Sequence, residues 1–189
     1  MIPELREHFE DNPWKPVSPV EVAGWGLFYA VFLLYAAAHN GQFLIIDFVN
    51  LVIHEGGHPL FGYIGPVAGV WGGTILQWFV PFSLATYFLW HRQTTAFIFA
   101  LFFFFENWLY TATYMADARA QALPLVAIGG GEGDESMHDW YNIFSRMGVL
   151  QHDTQIAHTV RVLGWMGMIG CVAFLAWRYR KSQAEAAPA

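Results

Sequence analysis

Apolar residues in this chain come in long blocks. Five stretches, residues 22–39, 43–63, 68–90, 95–116 and 159–178, carry few charges, and each is near the ~20 residues a helix needs to cross a bilayer. Short links join the first four, which predicts an antiparallel series of helices with no room for a separate soluble domain. The expected fold is all-α: a polytopic membrane bundle of about five transmembrane helices spanning 22–179. An extramembrane segment, 1–21, precedes it, and a disordered tail, 180–189, follows. The third stretch is the least regular, because GPVAGVWGG at 65–73 suits a re-entrant or broken helix.

Residues 117–158, between the fourth and fifth blocks, break the pattern. They are polar and rich in glycine at 129–133. An amphipathic helix is expected from about Glu135 to Leu150, with Trp140, Ile143, Phe144 and Met147 recurring at helical spacing and able to anchor the loop at a membrane surface. Long connections of this kind are commonly functional.

Composition agrees with the pattern. The chain is 56% hydrophobic and 18% aromatic, with only 13% charged residues, too apolar for an ordinary soluble domain. The net charge is −6 and the longest basic cluster is RYRK at 178–181, which excludes a nucleic-acid partner and leaves the lipid bilayer. The single cysteine, Cys171, lies in an apolar run, so there is no disulfide framework and no thiolate zinc site. The acidic, proline-rich start lacks the basic region of a secretory signal, so the first span is expected to be uncleaved. Five spans would put Arg6, Lys15, Arg119, Arg146 and Arg161 on one side and Arg92, Arg178, Arg180 and Lys181 on the other. That split leaves the orientation open.

Against this background the second block is anomalous, because HEGGH, His54 to His58, lies within it. The pattern is H-E-x-x-H: a helix sets residues i and i+4 side by side, so both imidazoles reach one metal ion while the glutamate faces its water. Chance alone gives the motif in about 2% of chains of this composition. Its position adds weight, since an ionisable group at bilayer depth costs roughly 2.5–3.5 kcal/mol unless it is used. Asp47, Asn50, His54 and His58 form one stripe at helical spacing. Asn50 is placed to hydrogen-bond the His54 ring, whereas Asp47, two turns away, serves something else. The alternative is a polar network between helices. Gly65, Gly69 and Gly73 repeat every four residues and Gln77 continues the row, a close-packing face whose polar member could bond another helix or hold substrate.

A catalytic zinc site takes three protein ligands and keeps one position open. Candidates for the third are His39, Asp47, Glu106, Asp117, His138, Asp139, His152, Asp153 and His158. The HDW stretch favours His138 or Asp139 equally, one as ligand and the other behind it. Glu106, deep in the fourth block with Tyr110 and Tyr114 one and two turns on, marks a second polar stripe and a less favoured ligand.

An H-E-x-x-H helix of membrane character followed by a glycine-rich helix resembles the site-2 protease family of intramembrane zinc metallopeptidases and its shorter relatives, over about residues 43 to 80. The resemblance implies His54 and His58 as ligands of one Zn2+ per chain, Glu55 as general base, and cleavage of a membrane-embedded protein substrate after its transmembrane segment unwinds. The family's later Asn-Pro motif ending in Leu-Asp-Gly, which supplies its third ligand, is absent, and HDW offers the equivalent aspartate. The expected reaction is peptide-bond hydrolysis, with zinc-activated water losing its proton to Glu55. The alternative is a non-proteolytic metal-binding membrane protein, or an inactive relative that binds a partner. A diiron hydroxylase would need paired histidines, and no two of the eight are adjacent.

Overall fold

Local chemistry fixes most of the helix starts. The computed structural model describes residues 3–123 and 138–186, beginning with α1 (Pro3–Asp11). Ser18 caps α2 (Pro19–Ala38): its Oγ accepts from the Glu21 amide at 3.2 Å, and the Glu21 carboxylate accepts from the Ser18 amide at 2.9 Å. Such a reciprocal cap stabilises a helix by about 1 kcal/mol. The Asp47 carboxylate accepts from the Leu44 amide at 2.6 Å and closes the turn into α3 (Asp47–Gly62). Gly65, at φ 152°, and Pro66 open α4 (Pro66–Trp90), and α5 (Thr94–Ala116) follows a tight turn. His138 caps α6 (Asp139–Met147) through Nδ1, which accepts from the Tyr141 amide at 3.2 Å, and Gly148 ends that helix in the left-handed region at φ 69°. A 3-10 turn at Leu150–His152 leads into α7 (Asp153–Ala186).

All the described regular structure is helical. Four helical segments are long and apolar enough to cross a membrane: α2, α4, α5, and Leu150–Glu185, which contains nearly all of α7. The second apolar block, expected as a fifth full span, folds instead as the 16-residue α3, only about 24 Å long. Asn50 donates to Asp47 at 2.8 Å and to Glu106 at 3.0 Å, so α3 begins level with the middle of α5. Residues 39–46 turn back into the bundle, where the Ile45 amide donates to the Tyr35 hydroxyl at 3.1 Å. From there α3 runs antiparallel along the first half of α4, Gly57 meeting Gly72 and Gly62 meeting Gly69.

This path changes the sidedness. The Lys15 amide donates to the Arg92 carbonyl at 3.0 Å, and the Val17 amide to Ser182 Oγ at 3.4 Å. The segment before α2 therefore lies at the same end of the bundle as the close of α7, and Trp14 and Val17 pack into the structure rather than standing off it. Arg6, Lys15, Arg92, Arg178, Arg180 and Lys181 all belong to that end, and Arg119, Arg146 and Arg161 to the other. The tail expected to be disordered continues α7 as far as Ala186.

The main core gathers Tyr29, Ile98, Phe102, Met168, Cys171 and Leu175 from α2, α5 and α7. A smaller core forms where Trp140, Ile143 and Phe144 of α6 pack on Tyr114, Met115 and Ala157. These are the apolar positions the sequence marks, but they are buried against the bundle, not on a membrane surface. Met147, the fourth, is 58% exposed. The glycine-rich stretch at 129–133 and the expected helix start at Glu135 lie outside the described residues.

Candidate metal centre

Close approach of α3 and α4 comes first, because it sets where the histidines can point. A Cβ on Gly57 would run into the Gly72 carbonyl oxygen, and one on Gly73 would lie 2.6 Å from His54 Nε2. Only glycines let the two backbones and the His54 ring share this space.

The rings are then fixed from behind. His54 Nδ1 donates to Gln77 Oε1 at 3.0 Å, and His58 Nδ1 donates to the Gly69 carbonyl at 2.9 Å. Both acceptors lie on α4, eight residues apart. Oxygen acceptors hold the proton on each Nδ1, which leaves each Nε2 to face the space between the helices. Into that space comes the carboxylate of Asp139, the first residue of α6. Its Oδ2 is 2.9 Å from His54 Nε2 and 3.3 Å from His58 Nε2. The Tyr114 hydroxyl accepts from the Asp139 amide at 3.2 Å and steadies the start of α6.

Ligand atoms of His54, His58 and Asp139 all lie within 4.8 Å of one another. Ligands about 2.0–2.1 Å from a tetrahedral zinc are about 3.3 Å apart, so the 2.9 and 3.3 Å separations suit a shared ion. The donor set, two neutral imidazoles and a carboxylate, is also one that zinc accepts in catalytic sites. His54 and Asp139 are buried, whereas the His58 side chain is 29% exposed, so the cluster is open on one side. Glu55 is partly exposed and within electrostatic reach of both histidines and Asp139.

No family profile, curated protein or solved structure matches this chain. The geometry therefore carries the functional reading unaided.

Of the two loop candidates, the structure brings Asp139 to the histidines and turns His138 away. His138 is spent on capping α6, lies 3.4 Å from the Asp117 carboxylate and packs on the Tyr114 ring. Burial lowers its pKa. Asn50 does not bond the His54 ring. Helical side chains lean toward the N-terminus, so this short amide reaches back to Asp47 and across to Glu106, and Gln77 takes the role expected of it. Glu106 is fully buried with Asn50 and Asp47, apart from the histidines. His39 bonds the Tyr35 carbonyl, Asp117 caps the Ala122 and Leu123 amides, Asp153 pairs with Arg119 at 2.7 Å, and His152 bonds Gln155. His158 is exposed.

Two supports escaped the sequence reading. The Gly69 carbonyl carries no residue-type signal at all. The Tyr114 hydroxyl stands in the noted Glu106, Tyr110, Tyr114 stripe, whose upper members face His54 while Glu106 serves another cluster.

Proposed function

We propose that the chain is an integral membrane zinc hydrolase of the site-2 protease type, cutting peptide bonds in membrane-embedded protein substrates. One observation carries the reading: two imidazoles of an H-E-x-x-H helix, each anchored through Nδ1 on an oxygen, converge with Asp139 beside a carboxylate left out of the described hydrogen-bond network.

In this reading His54, His58 and Asp139 hold one Zn2+, with the open side of the cluster left for water and substrate. Zinc bound there supplies a Lewis acid that acidifies water and polarises a carbonyl. Glu55 takes the proton from the attacking water as its oxygen bonds to the carbonyl carbon. It then passes that proton to the amine nitrogen as the C–N bond breaks. Gln77 and the Gly69 carbonyl keep both rings in the productive tautomer.

Membrane placement follows from the same features. Leu27 and Leu34 of α2 are 68% and 72% exposed, and Phe48 and Val52 of α3 are 72% and 63% exposed. Surfaces so apolar suit lipid, with α3 entering the bilayer part-way and returning. His54 touches Gly73, seven residues into α4, so the centre lies about 10 Å below that end of the bundle and within reach of water. Six cations at the opposite end against three near the centre favour a cytoplasmic position for Lys15 and Arg178, with the centre toward the other face.

The test is zinc content of the detergent-solubilised chain, together with cleavage of a transmembrane peptide. Wild type should carry about one zinc per chain, His54→Ala and Asp139→Ala none, and Glu55→Gln the full amount with cleavage reduced on the order of 10²–10⁴-fold. Full activity in Glu55→Gln would sink the hydrolytic mechanism, and absence of zinc from every sample would sink the metal centre.

A further inference from the structure

Far from the metal centre, at the cation-rich end, Trp14 and helices α4, α5 and α7 enclose a cleft of about 600 Å³. Its walls are apolar, with Trp14, Phe97, Phe105, Gly170, Phe174 and Trp177 among them. Along α7 it extends from Gly167 to Trp177, about 15 Å. Gly170 keeps it open, since a Cβ there would meet no atom within 4 Å. Apolar walls with nothing against them forgo dispersion contacts, so hydrocarbon is the natural filling on a bundle set in lipid.

Beside Trp14, one of the lining residues, stand two arginines that are not themselves part of the lining. Arg92 stands 4.9 Å and Arg178 5.7 Å from the centre of the Trp14 ring. Arg178 is only 3% exposed, and its Nε has no hydrogen-bond partner. The Nε of Arg92 is likewise buried without one. Arg92 lies over the Phe9 ring at 4.0 Å and donates to the Phe9 carbonyl at a long 3.5 Å. Neither guanidinium forms an ion pair among the described residues. Burial, and then the neighbouring charge of Arg178, lower the Arg92 pKa. Two like charges drawn together with donors unfilled are the arrangement an anion relieves, and guanidinium groups bind phosphate oxygens in pairs.

We infer that this cleft binds one anionic phospholipid, an acyl chain lying along α7 and the phosphate held by Arg92 and Arg178. The charge beside Trp14 selects the headgroup and the apolar walls select a lipid over a free anion. Basic groups of this kind on a cytoplasmic surface attract anionic lipid. The inference rests on the membrane placement proposed above and is independent of the metal centre.

The experiment strips the detergent-solubilised full chain of lipid and adds phosphatidylglycerol or phosphatidylcholine with identical acyl chains, reading bound lipid by native mass spectrometry. Wild type should retain one phosphatidylglycerol with a preference on the order of tenfold over phosphatidylcholine. The double variant Arg92→Gln, Arg178→Gln should lose the preference, and Gly170→Phe should lose both lipids. Equal binding of the two lipids by wild type, or undiminished binding by a folded Gly170→Phe, overturns the inference. So does thermal stabilisation by inorganic phosphate equal to that by the lipid. A phosphatidylglycerol with a photoreactive acyl chain gives a readout free of substitutions: crosslinks should fall within 97–105 and 167–177, and their absence there is equally fatal. His54→Ala should bind lipid normally, which separates this result from failure of the hydrolase reading. Recovery of the chain in the soluble fraction without detergent would overturn the membrane placement and this inference together.

Discussion

Gly73→Ala separates the metal centre from the stability of the fold. The added Cβ would lie 2.6 Å from His54 Nε2, 2.7 Å from Cε1 and 2.8 Å from Cδ2. To restore ordinary contact the ring must retreat by about 0.8 Å, several times the ±0.2 Å within which zinc–ligand distances hold. Retreat from α4 also lengthens the bond from Nδ1 to Gln77, which stands one turn further along that helix. Disturbing such a support lowers metal affinity roughly 10–100-fold, or about 1.4–2.7 kcal/mol. Folding suffers less: overpacking costs about 1–3 kcal/mol, and replacing a mid-helix glycine with alanine returns up to about 1 kcal/mol. Zinc affinity measured by competition with a chromogenic chelator in detergent, beside a thermal melt of the zinc-free protein, reads the two effects separately. The expected outcome is a folded protein with a Kd raised ten- to a hundredfold. Gly56→Ala, whose Cβ would meet nothing nearer than Leu76 at 3.9 Å, should bind as wild type does. Wild-type affinity in Gly73→Ala would refute the assignment of His54 Nε2 as a ligand.

Other substitutions probe the remaining parts. Asp139→Asn should weaken zinc binding by at least tenfold, whereas His138→Ala should keep the metal and lower stability by about 1 kcal/mol through loss of the α6 cap; zinc content and thermal melts compare them. Gly57→Ala drives a Cβ into the Gly72 carbonyl, so unlike Gly73→Ala it should lower the melting temperature and abolish zinc binding together. Because the sole cysteine is buried, single cysteines placed at Glu7, Glu185 and Gln151 report sidedness through an impermeant thiol reagent in sealed vesicles. The first two should label from one face and the third from the other, and labelling of Glu7 and Glu185 sites from opposite faces would refute the path of α3.

The sequence by itself determined the composition of the structure and half of the proposed metal centre. Long apolar blocks carry their own helical hydrogen bonds, so α2, α4 and α5 were legible within about three residues of their ends, whereas α7 runs well beyond both ends of the block at 159–178. His54, Glu55 and His58 were legible as a unit because their relation is local, set by the 3.6-residue turn. The apolar face of α6 showed for the same reason, although periodicity could not say whether it met lipid or protein. What the tertiary structure alone decided are the relations between helices. The length of the second block could not reveal that α3 starts at mid-bundle, because that depends on Asp47 and Asn50 meeting Glu106, 56 residues on from Asn50. That single turn changed a five-to-four split of the cations between the two ends into six to three. Likewise the choice of Asp139 over its neighbour His138 turned on where α5 and α6 meet. Adjacent residues at a helix start point in different directions, and only the packed partner fixes which one caps the helix and which one reaches the histidines.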